Sequence, residues 1–180
     1  MLITPPRRIE TTLTYLEMRA KPQRESKPPG QNVLLLHAVR PTVSFYRYLY
    51  NTVGQDWLWY QRRQMSDEEL RAIIQHPQVE IHVLYVAGVP AGYGELDLRD
   101  MPDIELAYFG LLPEFIGKGL GKFLLDAVID KAWAHGPQRL WLHTCTLDHP
   151  QALAVYQGAG FVRYKQEARV FDDPRDLGLM

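Results

Sequence analysis

The sequence places three glycines at alternate positions, Gly117, Gly119 and Gly121, between a predicted strand and a predicted helix. Because glycine has no Cβ atom, the backbone N–H groups of such a turn can approach an anion closely. The dipole of the following helix also favours negative charge at its N-terminus. This pattern predicts a turn that binds a phosphate or pyrophosphate group of a nucleotide-containing cofactor. A tight turn that serves only helix packing is the alternative interpretation.

Two known phosphate-binding loops do not fit this turn. A Walker loop requires Gly-Lys followed directly by Ser or Thr, and no such triplet occurs here. A dinucleotide-binding turn requires a glycine where the chain has Lys122, and an acidic residue about 20 residues beyond Gly121. The sequence provides neither, so the turn belongs to neither class.

The composition is that of an ordinary folded protein. Of the 180 residues, 46% are hydrophobic and 23% are charged, which fits a single domain and excludes a disordered chain. Lys plus Arg number 20 and Asp plus Glu number 21, a balance that argues against nucleic-acid binding. The single cysteine excludes an intrachain disulfide and fits a reducing compartment.

The sequence also contains no run near the ~18 apolar residues that a membrane-spanning helix needs. Residues 1–8 lack the apolar stretch of a signal peptide. We therefore expect a cytoplasmic protein that has neither a membrane nor a nucleic acid as its partner.

Several segments predict the elements that position the glycine turn. Residues 79–86, 90–98 and 104–112 are rich in β-branched and aromatic residues, and they predict three consecutive antiparallel strands. An amphipathic helix begins within the glycine run, and residues 140–146 return as a strand. This order predicts an α+β fold with a mixed, mostly antiparallel sheet flanked by helices, to which a parallel βαβ unit is added late in the chain.

The sequence also predicts helices before and after these strands. Apolar residues at helical spacing predict a helix over residues 42–53, and Ser66 with Glu69 forms a capping box that starts a helix of about ten residues. A last helix follows Pro150, with Asp148 or His149 as its cap, and precedes a final strand.

The N-terminal segment, residues 1–32, is predicted to be an extension of the domain formed by residues 33–180. Alternation over residues 10–20 predicts a strand, which we expect at an edge of the sheet. Residues 21–31 contain three prolines and four charged residues, so they predict a surface connection.

Two segments resemble the motifs of the GCN5-related N-acetyltransferase (GNAT) family. The acetyl-CoA motif of that family resembles Leu111-Leu-Pro-Glu-Phe-Ile-Gly-Lys-Gly-Leu-Gly-Lys-Phe-Leu-Leu125. Its second motif resembles Asp148-His-Pro-Gln-Ala-Leu-Ala-Val-Tyr-Gln-Gly-Ala-Gly-Phe161. The order of elements over residues 33–171 also matches, which is about three quarters of the chain. The resemblance implies the acyl-CoA N-acyltransferase fold and acetyl-CoA as the cofactor, with CoA as a product.

In that family the strand corresponding to residues 104–112 splays from its neighbour, and its end binds pantetheine while the glycine turn binds the pyrophosphate. The resemblance therefore implies a cofactor site at the matching positions: Leu111, Leu112, Ile116, Gly117, Lys118, Gly119, Leu120, Gly121 and His149. Ile116 stands where arginine or glutamine is usual, so backbone donors are expected to contribute more of the phosphate binding. His149 stands where asparagine is usual.

The resemblance also implies direct transfer of an acetyl group to an amine. A lysine-like amine has a pKa near ~10.4 and must lose a proton before it attacks, so a base is needed. Glu105, an acidic residue within an otherwise apolar strand, is the first candidate, and Glu95 and Asp97 on the preceding strand compete with it. Tyr156 matches the position of the family's general acid, which protonates the departing thiolate.

Two alternatives remain open. Cys145, with His143, Asp148 and His149 nearby in sequence, could act as a nucleophile through an acyl-enzyme, although a lone cysteine on a strand is more often a small buried residue. These residues provide no evident fourth ligand, so we expect no metal. The second alternative is a catalytically silent domain that binds acetyl-CoA as a sensor or interaction surface.

The segment 45–60 is rich in aromatic residues and is expected to contribute to the acceptor site. It contains Phe45, Tyr46, Tyr48, Tyr50, Trp57, Trp59 and Tyr60, which is more than one face of a short helix can bury. Because Phe45 and Trp57 are expected in the core, we predict that Tyr48, Trp59 and Tyr60 bind the acceptor. The partner is an amine, either a small molecule or a peptide, and a homodimer is compatible with the sequence.

Overall fold

The computed structural model describes residues 5–180. Seven strands form one sheet: β1 Arg8–Met18, β2 Val33–His37, β3 Val79–Val86, β4 Val89–Asp97, β5 Asp103–Leu111, β6 Arg139–Cys145 and β7 Val162–Asp172. The helices are α1 Val43–Gly54, α2 Asp67–Ile74, α3 Leu120–Trp133 and α4 Ala152–Gly158, with short 3-10 turns at Gln55–Trp57 and Pro113–Phe115. Within this part of the chain, no helix is both long enough and apolar enough to cross a membrane.

The sheet has the strand order β2-β3-β4-β5-β6-β1-β7. The strands from β2 to β5 are antiparallel neighbours, whereas β5 and β6 run parallel and are connected through α3. The predicted α+β class, the mixed sheet and its late parallel βαβ unit are therefore confirmed.

The predicted edge position of the N-terminal strand is wrong. β1 pairs with β6 on one side and with β7 on the other, so β2 and β7 form the two edges. The alternation of Thr14, Leu16 and Met18, which are all buried, defines the inward face of β1. Alternation identifies a face but not a pairing partner, which explains the error.

The helices α1 and α2 begin with side-chain caps. Thr42 Oγ1 accepts a hydrogen bond from the Phe45 N–H, and Ser66 forms the predicted capping box with Glu69. The helix that follows Ser66 has eight residues.

The start of α4 differs from the prediction. The helix begins at Ala152, and its N-cap residue Gln151 forms no side-chain cap, but the Nδ1 of His149, one of the two predicted caps, accepts a hydrogen bond from the Gln151 N–H at 3.1 Å. The Asp148 carboxylate instead accepts hydrogen bonds from the Cys145 N–H at 2.8 Å and from Thr144 Oγ1 at 2.6 Å. These donors lie at the end of β6, so Asp148 stabilises the strand end rather than the helix.

Two apolar clusters cover the two faces of the sheet. The neighbouring residues Val83 and Leu84 belong to different clusters because successive side chains of a strand point to opposite faces. One cluster includes Leu124 and Val128 of α3, and the other includes Tyr46 of α1. Helices thus flank the sheet on both faces.

Candidate active site

A cleft of about 850 Å³ opens where β5 and β6 separate. The two strands pair only between residues 103–105 and 139–141, although β5 continues to Leu111 and β6 to Cys145. The expected splay is therefore present. Beyond these residues β5 remains paired only with β4 and β6 only with β1, so the edges of β5 and β6 that face each other are unpaired at the opening.

The glycine turn forms one end of this cleft. Gly117 and Gly119 have φ values of +79° and +74°, which lie in the left-handed region that favours glycine. Gly119 is the N-cap of α3, so the helix begins inside the turn as predicted. Leu111, Ile116, Gly117, Gly119 and Gly121 line the cleft together with His149.

Three of the positions expected in the cofactor site do not line the cleft. Leu112 is buried, and its N–H donates to the Ala91 carbonyl, so it is not free for a ligand. Leu120 is buried in the core against the sheet. Lys118 lies over the ring of Phe115, with its Nζ 5.3 Å from the ring centroid.

Tyr156 of α4 lines the cleft, as the motif predicts. Its ring packs edge-on against Phe109 and Phe161, at centroid distances of 6.0 Å and 6.2 Å. Burial raises the pKa of the Tyr156 phenol, and the nearby carboxylate of Asp148 raises it further. The hydroxyl therefore stays protonated at neutral pH, and the raised pKa makes it a weaker acid than a free phenol.

The three candidate bases lie in different environments. Glu95 is fully buried and accepts hydrogen bonds from Tyr46 at 2.5 Å and from Arg62 at 2.6 Å. Burial raises the pKa of the Glu95 carboxyl, while Arg62 and Tyr46 oppose this shift. Since Glu95 does not line the cleft, it stabilises the structure and is not placed to act as the base.

Asp97 and Glu105 both line the cleft. Asp97 is held by Arg99 at 2.5 Å, and this contact helps to keep the pKa of its carboxyl low, against the effect of its own desolvation. Glu105 is one-quarter exposed and has His143 Nδ1 at 3.6 Å from its Oε1. Glu105 is thus the better placed of the two for proton transfer.

Arg62 is a residue of the cleft that the sequence analysis missed. It is 7% exposed, it lines the cleft, and its guanidinium lies 5.2 Å from the Tyr108 ring centroid. Together with Glu95 it ties the loop that follows α1 to the sheet. No motif marks an arginine in this loop, because its partners lie far away in sequence.

The aromatic segment divides between core and cleft. Trp59 and Tyr60 line the cleft, as predicted. Tyr48 does not line the cleft and is 44% exposed, so the structure does not support its predicted role. Trp57, which we expected in the core, instead lines the cleft and packs edge-on against His149 at 5.2 Å.

Local packing explains why Trp59 points inward. A Cβ atom at Gly54 would lie 2.4 Å from the Cβ of Trp59, so only glycine leaves room for the indole. The Trp59 ring then packs against Tyr50 and Tyr108 at centroid distances of 5.4 Å and 5.1 Å. Across the opening, Tyr60 stacks on Phe171 of β7 at 5.9 Å.

Cys145 also lines the cleft, on the same face of β6 as His143. Burial raises the pKa of the Cys145 thiol, and the Asp148 carboxylate adds to this effect. A raised pKa disfavours the thiolate that a nucleophilic mechanism requires. Within residues 5–180, no group of three or more His, Cys, Asp or Glu side chains is arranged to hold a metal ion.

Several further lining residues come from outside the two motifs. Thr11 and Leu13 of β1 line the cleft, as do Arg169 and Phe171 of β7. Sequence reasoning missed them because the pairing of β1 with β6 and β7 could not be deduced from the alternation of residues.

Comparisons with known proteins show which sequences and folds this chain is similar to. The model of the acetyltransferase (GNAT) family matches residues 46–161. Mycothiol acetyltransferase from Streptosporangium roseum is 35% identical over 83 residues, which cover 46% of this chain and 23% of that protein. The same enzyme from Acidothermus cellulolyticus is 37% identical over 73 residues, covering 41% and 21%. The chain thus spans less than a quarter of the length of these relatives.

Solved structures share the fold at low sequence identity. A GCN5-related N-acetyltransferase from Sphaerobacter thermophilus superposes with a TM-score of 0.71 at 12% identity, covering 94% of this chain and 52% of that chain. An aminoglycoside acetyltransferase from an uncultured soil sample gives 0.60 at 12% identity, covering 72% and 88%.

Proposed function

Because the chain belongs to the acetyltransferase (GNAT) family, we propose that it transfers the acetyl group of acetyl-CoA directly to the nitrogen of an amine. One observation carries this proposal: the glycine turn at the start of α3, Tyr156 and Glu105 all open onto the same cleft between the splayed strands. An anion site, a proton donor and a proton acceptor are the three parts that such a transfer needs.

The residues of the turn fit a pyrophosphate. The first backbone N–H groups of α3 have no partner within the helix, and the helix dipole favours negative charge at this end. A Cβ at Gly117 or Gly119 would meet no atom within 4 Å, so the space in front of the turn is open. Leu111 and Ile116 would contact the apolar part of the pantetheine arm. When bound, acetyl-CoA supplies the activated thioester.

The chain's own side chains carry out the proton transfers of the reaction. Glu105 accepts the proton that the amine must lose, directly or through one water molecule, so that the nitrogen lone pair can attack the thioester carbonyl carbon. The C–N bond forms as the C–S bond breaks. Tyr156 donates its hydroxyl proton to the departing sulfur, the acylated nitrogen releases its second proton to solvent, and Tyr156 is then reprotonated from solvent.

The aromatic side chains around Trp59 and Tyr60 limit the access of water to the reacting groups. Exclusion of water protects the thioester from hydrolysis and strengthens the electrostatic interactions within the cleft. The raised pKa of Cys145 favours direct transfer over a route through an acyl-cysteine.

Calorimetry with acetyl-CoA, followed by an assay of free thiol release with a panel of amines, tests the proposal. We expect saturable binding of acetyl-CoA and thiol release that depends on the added amine. Binding without release for any amine would favour the alternative of a silent acetyl-CoA-binding domain. A chain that folds but does not bind acetyl-CoA would contradict the proposed cofactor.

A further inference from the structure

We propose that His143 assists Glu105 in the reaction: it takes up the proton that Glu105 receives from the amine and passes that proton to solvent. This proton relay rests on the acetyl transfer proposed above and adds a second group to its proton path. The contact between the two side chains, the position of the imidazole and the pairing of the other carboxylates of the cleft support it.

His143 is the basic side chain beside Glu105. The two residues come from the neighbouring parallel strands β6 and β5, and His143 Nδ1 lies 3.6 Å from Glu105 Oε1. This distance is within the range of an ion pair and slightly longer than a hydrogen bond, so a small side-chain movement or one bridging water molecule completes a path for a proton. Within residues 5–180, Glu105 has neither an arginine nor a lysine as an ion-pair partner.

The other carboxylates of the cleft lack such a partner. Three carboxylates line the cleft, those of Asp97, Glu105 and Asp148. Asp97 Oδ2 is bound by Arg99 Nη2 at 2.5 Å, and an arginine cannot take up a further proton. Asp148 accepts hydrogen bonds from the end of β6 and forms no ion pair among the described residues. Glu105 is therefore the carboxylate of the cleft that has a histidine to which it can return a proton.

The imidazole of His143 lies at the border of the cleft. His143 and Glu105 line the cleft, whereas Tyr15 and Trp141, which pack against the imidazole, do not line it. The centroid of the His143 ring is 5.7 Å from that of Tyr15 and 6.4 Å from that of Trp141. The His143 side chain is 42% exposed, compared with 25% for Glu105. The two aromatic rings hold the imidazole in place, and its exposed part gives the proton a route to solvent when ligands fill the cleft.

The proton moves in three steps. Glu105 accepts one proton from the ammonium group of the acceptor and becomes a neutral carboxyl group. The O–H bond of this carboxyl breaks as Nδ1 of the neutral imidazole forms an N–H bond, which restores the carboxylate and gives an imidazolium ion. The imidazolium then releases one proton to solvent and becomes neutral again. Imidazole suits this role because it can accept and release a proton near neutral pH.

The chain contains a similar pair outside the cleft, which provides a matched control. His135 Nε2 lies 2.9 Å from Glu80 Oε1, and the His135 side chain is 37% exposed, close to the value for His143. Neither His135 nor Glu80 lines the cleft. His135→Asn therefore removes a histidine from an equivalent contact and leaves the site intact.

Nitrogen-15 NMR of the histidine side chains tests the contact without any acceptor. Glu105→Gln should change the chemical shifts of the His143 ring nitrogens, because it removes the carboxylate beside Nδ1. Glu68→Gln, at an exposed carboxylate of α2 outside the cleft, should leave these shifts unchanged. Identical His143 signals in the two variants would show that the contact is absent in solution and would overturn the relay.

Kinetics test the proton transfer itself. The acceptor is whichever of four probes, 2-phenylethylamine, spermidine, kanamycin and trialanine, releases thiol from acetyl-CoA fastest. His143→Asn keeps a hydrogen-bonding group near the position of Nδ1 but cannot take up a proton. We expect kcat to fall at least about tenfold, with acetyl-CoA affinity nearly unchanged, whereas His135→Asn should keep the original kcat. In the smaller variant His143→Ala, added imidazole should restore part of the lost kcat.

A double-mutant cycle tests whether His143 acts through Glu105. In a chain that already carries Glu105→Gln, His143→Asn should lower kcat by less than about twofold, because the residue that hands over the proton is gone. The original kcat in His143→Asn, or the same loss with and without Glu105→Gln, overturns the relay and leaves acetyl transfer standing. Binding of acetyl-CoA without thiol release to any of the four probes contradicts the proposed function, and the relay is then wrong as well.

Discussion

Tyr156 connects the packing of α4 with the proposed chemistry. Its ring is held by Phe109 and Phe161, so Tyr156→Phe keeps the packing and removes only the hydroxyl. We expect kcat to fall by about 10²–10⁴-fold, as for the loss of a general acid, with acetyl-CoA affinity nearly unchanged. Steady-state kinetics and calorimetry measure both. The matched control is Tyr164→Phe on β7, and a kcat equal to that of the control would contradict the role of Tyr156.

Experiments on Cys145 distinguish a mechanism of direct acetyl transfer from one that passes through an acyl-enzyme. Because burial raises the pKa of its thiol above the usual value, the thiolate fraction at about pH 8 is smaller in the folded protein than in the unfolded chain. Alkylation by iodoacetamide should therefore be slower in the folded state and should accelerate as the pH rises toward the raised pKa. Cys145→Ala should keep most of the activity. Fast alkylation near pH 7 together with an inactive Cys145→Ala variant would support the cysteine nucleophile.

At the scale of single residues, the motifs predicted the positions of the glycines and Tyr156, but Leu112, Lys118 and Leu120 of the same motif do not line the cleft. The glycines of the turn and Tyr156 lie in the cleft, because their spacing is tied to one local strand, turn and helix. Arg62 and Phe171 could not be predicted, since each is brought to the cleft by pairing with residues distant in sequence. The structure does not support the predicted role of Tyr48, which is exposed on α1. Helical spacing alone does not tell which face of α1 meets the sheet.

The start of α3 is the element on which cofactor binding depends. Gly121 lies in the first turn of the helix without a positive φ, and a Cβ there would be 3.6 Å from Leu111, an ordinary contact. Gly121→Asp should therefore fold, and a carboxylate at a helix N-terminus stabilises the helix. The same charge repels a pyrophosphate. We expect unchanged or higher thermal stability with acetyl-CoA affinity reduced by at least about tenfold, measured by thermal unfolding and calorimetry.

The neutral variant Gly121→Ala is the control for this prediction. It adds the Cβ without the charge and should keep most of the affinity. If Gly121→Asp binds acetyl-CoA as tightly as Gly121→Ala does, the pyrophosphate site does not lie at this helix start.

Elements from distant parts of the chain enclose the cleft. The loop after α1 is tied to β4 through Arg62 and Glu95, and it meets β7 through the stacked rings of Tyr60 and Phe171. Sequence patterns predicted most of these elements with small shifts of their ends, because apolar periodicity reports local structure directly. The position of β1 between β6 and β7 depends on pairing between the two ends of the chain, which periodicity does not report.

The fold of the whole molecule depends on β1, which lies outside the residues that match the family model. β1 separates β6 from β7, and Leu16, fully buried, packs in the core that also contains Leu124 of α3. A chain that lacks residues 1–31 would leave β7 without its neighbour and would expose the core. We expect this truncated chain to lose cooperative unfolding and to bind acetyl-CoA poorly, as measured by urea denaturation and calorimetry.

Point substitutions in β1 keep this prediction testable when the truncated chain does not fold. Leu16→Ala should lower the free energy of unfolding by about 2–5 kcal/mol, since it removes a fully buried side chain. Glu10→Ala, at an exposed position of the same strand, should change it by about 0.5 kcal/mol or less. Equal effects of the two substitutions, or a truncated chain as stable as the intact one, would mean that the sheet does not need β1. The cleft would then have to be formed without Thr11 and Leu13.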